Sequence, residues 1–309
     1  MSDASDPGRS DLSDDAPRDT SKRLWLHVAL FGLTAVSVFK AGTFFGSGPL
    51  FAIPLLSILV AHESGHYIAA RIHGVPASLP YFIPVPKSLF GTLGAVITMR
   101  ERIRSRNALF DIGASGPLAG MVVALPVLAY GLMHSPIAPN PSTGYSQEGQ
   151  SLLYALMKRV FAGAIPAGSD VQMHPTAAAG WVGLLITMIN LLPWGQLDGG
   201  HIAFALFGER QNKYARVVRS CLPLLVVYNL VSFAGPILRH RSAMPYAVAL
   251  ANSAFWLVWY VVTGVMARFF GADHPPFEHG SLTAPRRITA WLCLTLFVVL
   301  FMPTPWAQY

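Results

Sequence analysis

Past residue 23 the chain alternates between long apolar runs and short polar breaks. Seven runs, at 24–45, 49–70, 112–133, 176–192, 221–238, 245–266 and 288–306, approach or reach the roughly 20 apolar residues that a membrane-crossing helix needs. The last has the shortest uncharged core. Gly46-Ser47-Gly48-Pro49 leaves room only for a turn, so the first two runs form a tight hairpin. Two connections are long. Residues 72–111 mix apolar stretches with Pro80, Pro84 and Pro86, and 93–99 reads as a strand. Residues 135–175 include a pattern at 151–164 that fits an interfacial amphipathic helix. The predicted fold class is an all-α polytopic membrane protein of six to seven transmembrane helices, with a small β element in the cytosolic loop after the second helix. The predicted division is a disordered cytosolic tail at 1–23, a membrane core at 24–207 and C-terminal transmembrane helices at 208–309.

Composition supports the pattern. The chain is 53% hydrophobic and 12% charged, about half the usual charge of a soluble domain. The tail carries Asp3, Asp6, Asp11, Asp14, Asp15 and Asp19 without an apolar run, unlike a signal peptide or an acid-poor transit peptide. The net charge of +7 is placed unevenly. With the tail in the cytosol and seven crossings, 17 of the 22 Lys and Arg residues fall on the cytosolic side. That is the bias that fixes orientation in membranes. It accounts for the positive charge through the lipid bilayer, with no nucleic acid partner. Cys221 and Cys293 lie in apolar runs and read as small hydrophobes.

Candidate chemistry begins in the second run, at His62-Glu63-Ser64-Gly65-His66. Residues four apart share one helix face. Two imidazoles there can hold one metal ion, and the Glu between them can take a proton from the attacking water, as in the H-E-x-x-H zinc site. Ionisable residues inside a membrane helix are costly and mark function. A polar cluster joining helices, or a proton relay, would use the same residue types. A zinc hydrolase also needs a third protein ligand and an open position. Asp198, after the fourth run and a break at Pro193 and Gly195, is the candidate; the alternative is an Asp-Gly turn. His62, His66 and Asp198 all fall toward the cytosolic side in the orientation drawn from the basic residues.

The pairing of HESGH with Asn190-x-x-Pro193-x-x-x-x-Asp198-Gly199 resembles the site-2 protease family of intramembrane metalloproteases. The resemblance extends through Phe90 to Ala95 and Gly113 to Gly120, and covers roughly 49–207. It implies one zinc ion per chain held by His62, His66 and Asp198, with Glu63 as general base and Asn190 near the substrate carbonyl. It implies cleavage in or near the transmembrane segment of a single-span membrane protein, in a bacterial cytoplasmic membrane. The strand near Gly94 to Met99 would pair with an unwound substrate segment. One departure stands out. Many members place Asn four residues after the Gly of Gly-Pro; here Gly116-Pro117 is followed by Gly120. Gly271-Ala272-Asp273-His274-Pro275-Pro276 is similar to a segment in bacterial and plastid members, and a Pro-fixed loop is the simpler reading.

Other readings use the same residues. Gly113-Ala114-Ser115-Gly116 resembles the nucleophile motif of rhomboid serine proteases, but there the Ser precedes the His, and Glu63 and His66 would have no task. Intramembrane His, Glu and Asp also fit a metal or proton transporter, which would more often show inverted repeats with broken helices in matching places; the break near Pro193 has no such partner. An inactive scaffold has no need of Glu63. His201 could replace Asp198 as a ligand or stand behind it. The remaining histidines read as interfacial or solvated.

Overall fold

The computed structural model describes residues 20–99, 103, 105–141, 144–239, 244–271, 273 and 280–309. The tail at 1–19 and His274-Pro275-Pro276 lie outside them. Two long helices, α1 (Thr20–Phe44) and α2 (Gly48–Ile72), open the chain as a hairpin. The turn between them is set by Ser47, whose hydroxyl accepts from the Leu50 N–H at the start of α2, and by Pro49 in the first turn. A β-hairpin follows, β1 (Tyr81–Pro84) with β2 (Thr92–Val96), and then α3 (Arg106–Met133). The next connection holds β3 (Ile137–Pro139), β4 (Ser146–Glu148), α4 (Leu152–Met157), a π-helical turn at Lys158–Ala162 and β5 (Ser169–Val171). The rest is helical: α5 (Pro175–Asn190), α6 (Asp198–Phe207), α7 (Arg210–Leu238), α8 (Tyr246–Phe270) and α9 (Ala284–Leu300), closing on β6 (Trp306–Gln308).

Five of these helices, α1, α2, α3, α7 and α8, are long and apolar enough to cross a membrane. The molecule is therefore a mostly helical polytopic membrane protein. The fourth expected run forms only the 16 residues of α5, about 24 Å at 1.5 Å per residue. Its apolar surface is buried on all sides, with Trp181 and Leu184 inaccessible, as expected of a helix enclosed by protein. Glycines let its neighbours close in. A Cβ on Gly180 would lie 2.7 Å from the Leu128 Cα, and one on Gly131 would lie 2.1 Å from the Ala177 nitrogen. Small residues at such crossings are the usual route to tight helix packing in lipid.

The seventh expected run forms the 17-residue α9 and then extends through Pro303 and Pro305 into β6. The start of α9 is tied to the start of α3, with the Thr283 N–H donating to Asn107 Oδ1 at 3.2 Å. Its far end delivers β6 to β4, where Ser146, Gln147 and Glu148 face Gln308, Ala307 and Trp306 in antiparallel register. Thus α9 begins at the end of the bundle where α3 begins, and hands the chain to the end where α3 finishes.

The expected small β element is the β1–β2 hairpin, with Tyr81 opposite Val96 and Phe82 opposite Ala95. It lies against α1 from His27 to Ser37. His27 bonds the Pro80 carbonyl at 3.1 Å, Phe31 meets Phe82 edge-on, and the Ser37 hydroxyl donates to the Gly91 carbonyl at 2.6 Å. Non-helical backbone laid along an apolar helix is tolerated when its polar groups are met by protein. Gly91 makes it possible: its φ is +79°, and a Cβ there would sit 2.6 Å from the Ser37 carbonyl oxygen.

The expected amphipathic segment at 151–164 appears as α4 and its π-helical turn. Together with the strand pairs β3–β5 and β4–β6 it caps one end of the bundle. Inside this cap the Lys158 ammonium pairs with Glu148 at 3.2 Å and with Asp170. Tyr154 donates to Glu148 at 2.9 Å, and Gln147 donates to Asp170 at 3.0 Å.

Candidate metal centre

Residues 62 and 66 lie one turn apart on α2 and turn inward toward α3 and α6. His62 is 3% exposed and Glu63 5% exposed. Asp198 opens α6 after the non-helical link that follows α5. Its two following glycines are required by that link: a Cβ on Gly199 would fall 2.0 Å from the Leu191 carbonyl oxygen, and one on Gly200 2.3 Å from that of Gly195. Asp198 is thereby more than a turn residue. Its Oδ2 lies 3.3 Å from His62 Nε2 and 3.3 Å from His66 Nε2, and the two Nε2 atoms are 3.1 Å apart. The three residues form the one candidate metal-holding cluster among the described residues. With zinc-to-ligand distances of about 2.0–2.1 Å, the edge of a tetrahedral ligand set is about 3.3 Å. The observed triangle fits the ligand spacing of such an ion.

Hydrogen bonding selects the ring tautomer of His66. Its Nδ1 lies 2.7 Å from the Ile112 carbonyl oxygen. A carbonyl only accepts, so Nδ1 carries the proton and Nε2 keeps its lone pair for the cluster. Asn190 ends α5 with its amide nitrogen 3.1 Å from His62 Nε2. It therefore borders the cluster without being one of its three members. The Glu63 carboxylate is hydrogen-bonded to none of the described residues.

The glycine-rich start of α3 explains how the rings fit. A Cβ on Gly116 would fall 2.1 Å from His66 Nε2, and one on Gly65 would fall 2.4 Å from the Ser115 carbonyl oxygen. Gly120, where many family members carry Asn, faces the Cβ and Nδ1 of His62, each 3.3 Å from an added Cβ. That position is spent on packing against a ligand candidate. The Ser115 hydroxyl donates to the Ile112 carbonyl at 2.9 Å; its hydrogen bond goes to backbone and not to an imidazole. His201 rests its Cβ over Gly113 and is not part of the three-residue cluster.

Two residues behind the site are not apparent from the sequence. Asp111 and His73 form a contact of 2.8 Å between α3 and the C-cap of α2, where His73 reads in sequence as a solvated residue. The nearest sequence signal is the position of Asp111 next to Ile112 at the polar start of an apolar run.

A helical membrane bundle in which two imidazoles and a carboxylate able to hold a metal ion converge on a buried point beside a glutamate has the architecture of an intramembrane metal-site protein. More particularly, residues 50–234, more than half of the chain, match the model for Peptidase family M50. The chain belongs to that family, the site-2 proteases. It is 28% identical over 239 residues to the rice (Oryza sativa) protein named probable zinc metalloprotease EGY2, chloroplastic, covering 70% of this chain and 43% of that protein. It is 38% identical over 170 residues to the Arabidopsis thaliana protein named probable zinc metalloprotease EGY1, chloroplastic, covering 51% of this chain and 30% of that one. The chain thus spans less than half the length of these relatives. No solved structure matches it.

Proposed function

We propose that this chain is an intramembrane zinc metalloendopeptidase. In this reading it holds one zinc ion through His62, His66 and Asp198, and hydrolyses a peptide bond in or near the transmembrane segment of a single-span membrane protein. The observation that carries the reading is the convergence of two imidazole nitrogens and a carboxylate oxygen at 3.1–3.3 Å beside the buried Glu63. The family and the zinc metalloprotease names of the relatives support it.

Bound zinc would supply a Lewis acid that polarises the scissile carbonyl and lowers the pKa of water toward 7. Glu63 takes the proton of the attacking water and passes it to the leaving amine, a role worth about 10²–10⁴-fold in rate. The Asn190 amide donates to the carbonyl oxygen as negative charge develops there. A helical substrate hides its carbonyls in hydrogen bonds, so it must unwind before attack. Leu93, 67% exposed, and Val96 leave β2 accessible for strand addition. Val96→Pro should slow cleavage while zinc content stays normal; unchanged cleavage counts against pairing there. Core and C-terminal helices divide near residue 207 in this reading. The membrane is the bacterial cytoplasmic one with the tail in the cytosol, an orientation that the distribution of basic residues supports. Protease accessibility of a tagged tail in cells checks that orientation.

The deciding experiment measures zinc content and cleavage of a model transmembrane substrate for wild type, His66→Ala and Asp198→Ala in detergent. About one zinc per chain in wild type, with metal and cleavage both lost in the variants, is expected. Metal-free protein that still cleaves would sink the metalloprotease reading and return attention to Ser115.

A further inference from the structure

Helix α9 lies outside the residues that match the family, 50–234, yet it reaches the back of the metal centre. Arg286, in its first turn, grips Asp111 of α3 with two bonds, Nε to Oδ1 at 2.8 Å and Nη2 to Oδ2 at 2.7 Å. The same Asp111 Oδ2 receives His73 Nε2 at 2.8 Å from the end of α2. One carboxylate therefore ties three helices together. The residue after it is Ile112, whose carbonyl holds His66 Nδ1 at 2.7 Å.

Pro117 lies inside the helix and has no N–H for the Gly113 carbonyl, so the start of α3 lacks one bond of its backbone ladder and depends more on its side-chain ties. A swing of 106–116 about Pro117 would carry the Ile112 carbonyl away from His66 and release the ring. The fork-to-fork pairing of Arg with a carboxylate fixes direction as well as distance. It clamps the segment one residue away from the carbonyl that matters.

We propose that Arg286 is a positioning residue for the metal centre. Acting through Asp111, it holds the Ile112 carbonyl where it fixes the ring and tautomer of His66, so that α9 is part of the site's support. The proposal rests on the zinc reading. Partners standing behind a metal-binding His commonly set affinity by 10–100-fold.

The test is zinc affinity of the full chain in detergent, by competition with a chromophoric chelator, for wild type, Arg286→Ala, Arg286→Lys, Asp111→Asn and Arg287→Ala, with thermal unfolding of the same samples. Arg286→Ala and Asp111→Asn should weaken zinc about 10–100-fold. Arg286→Lys, which keeps the charge and loses the fork, should fall between them and wild type. Arg287→Ala removes an exposed charge from the same turn and should leave affinity unchanged. If Arg286→Ala fails to fold, the Arg286→Lys and Asp111→Asn values decide. Unchanged affinity in those variants, or equal weakening in Arg287→Ala, overturns the proposal. Wild type without stoichiometric zinc overturns the zinc reading and this proposal with it.

Discussion

Among the described residues, the polar cluster of the cap and the cluster between α2, α3 and α6 are both buried, and their bonding differs. In the cap the Lys158 ammonium lies between Glu148 and Asp170, and Tyr154, Gln147, Gln150 and the Val171 N–H supply further donors. Each carboxylate there faces protons. In the α2–α3–α6 cluster the reverse holds: His62, His66 and Asp198 bring lone pairs to one point, and the Ile112 carbonyl directs the His66 proton away from it. A cluster with balanced donors and acceptors serves structure. A cluster in which acceptors converge is one that a cation would complete. Burial alone separates them poorly, since Lys158 at 5% and His62 at 3% exposure are equally hidden.

The sharpest break in that comparison is at Glu63, which belongs to neither kind of bonding. Glu63→Gln keeps the shape and removes the base. Cleavage should fall by about 10²–10⁴-fold while zinc remains near one per chain. Parallel loss of zinc would show that Glu63 holds the metal rather than the proton, and would redraw the ligand set.

Gly116→Ala attacks the same cluster through packing. The new methyl would occupy space 2.1 Å from His66 Nε2, against a buried ring with no room to retreat. Zinc content should drop well below half, with cleavage falling in proportion, while the purified protein stays helical by circular dichroism. The matching change at the edge, Gly120→Ala, meets His62 at 3.3 Å and should cost much less. Equal effects at the two positions would mean that general α2–α3 packing, rather than ring placement, sets metal binding.

Lys158→Met tests the other cluster. It leaves Glu148 and Asp170 facing each other without their cation, a change that costs about 3–5 kcal/mol when one partner of a buried pair is removed. Thermal stability should fall, and zinc content should not. If Met at 158 empties the metal site instead, the cap and the centre form one cooperative unit and the distinction drawn between them fails. Replacing Lys158, Glu148 and Asp170 together by apolar residues should recover most of the lost stability.

The metal cluster is largely legible in the sequence and the cap is not, for physical reasons. His62, Glu63 and His66 are one helical turn in an apolar run, so the cost of placing them there announces a purpose. Asp198 joins them through its glycines and the break before it. The long helices follow from apolar length alone. By contrast β4 and β6 are three residues each, paired across about half of the chain, and a strand that short carries no alternation to detect. Asp111 and Arg286 are single charges at the starts of apolar runs, where basic and acidic residues are ordinary. The hairpin is legible as strand but not as a strand lying along α1, because that depends on Ser37 meeting Gly91.

The smallest expected effect is acid weakening of the cap, and its sign follows from Asp170. Burial pushes this carboxyl up, but hydrogen bonds from Lys158, the Val171 backbone N–H and Gln147 outweigh burial and hold it below the ordinary carboxylate value. It therefore takes up a proton more readily in the unfolded chain than in the folded one. Its contribution to stability is complete above the unfolded value, near pH 4, and is lost as pH falls through the lower folded value. His174, which caps α5 beside the cap, is pushed down by burial and by His134, so a slighter weakening begins as it protonates below about pH 6.5. Hydrogen exchange of 146–171 should change little from pH 7 to 5 once corrected for intrinsic rates, then rise below pH 4. Asp170→Asn should exchange faster at neutral pH and lose the acid step. An acid step that survives in Asp170→Asn would assign it to another carboxylate and remove Asp170 from the balance that separates the cap from the metal centre.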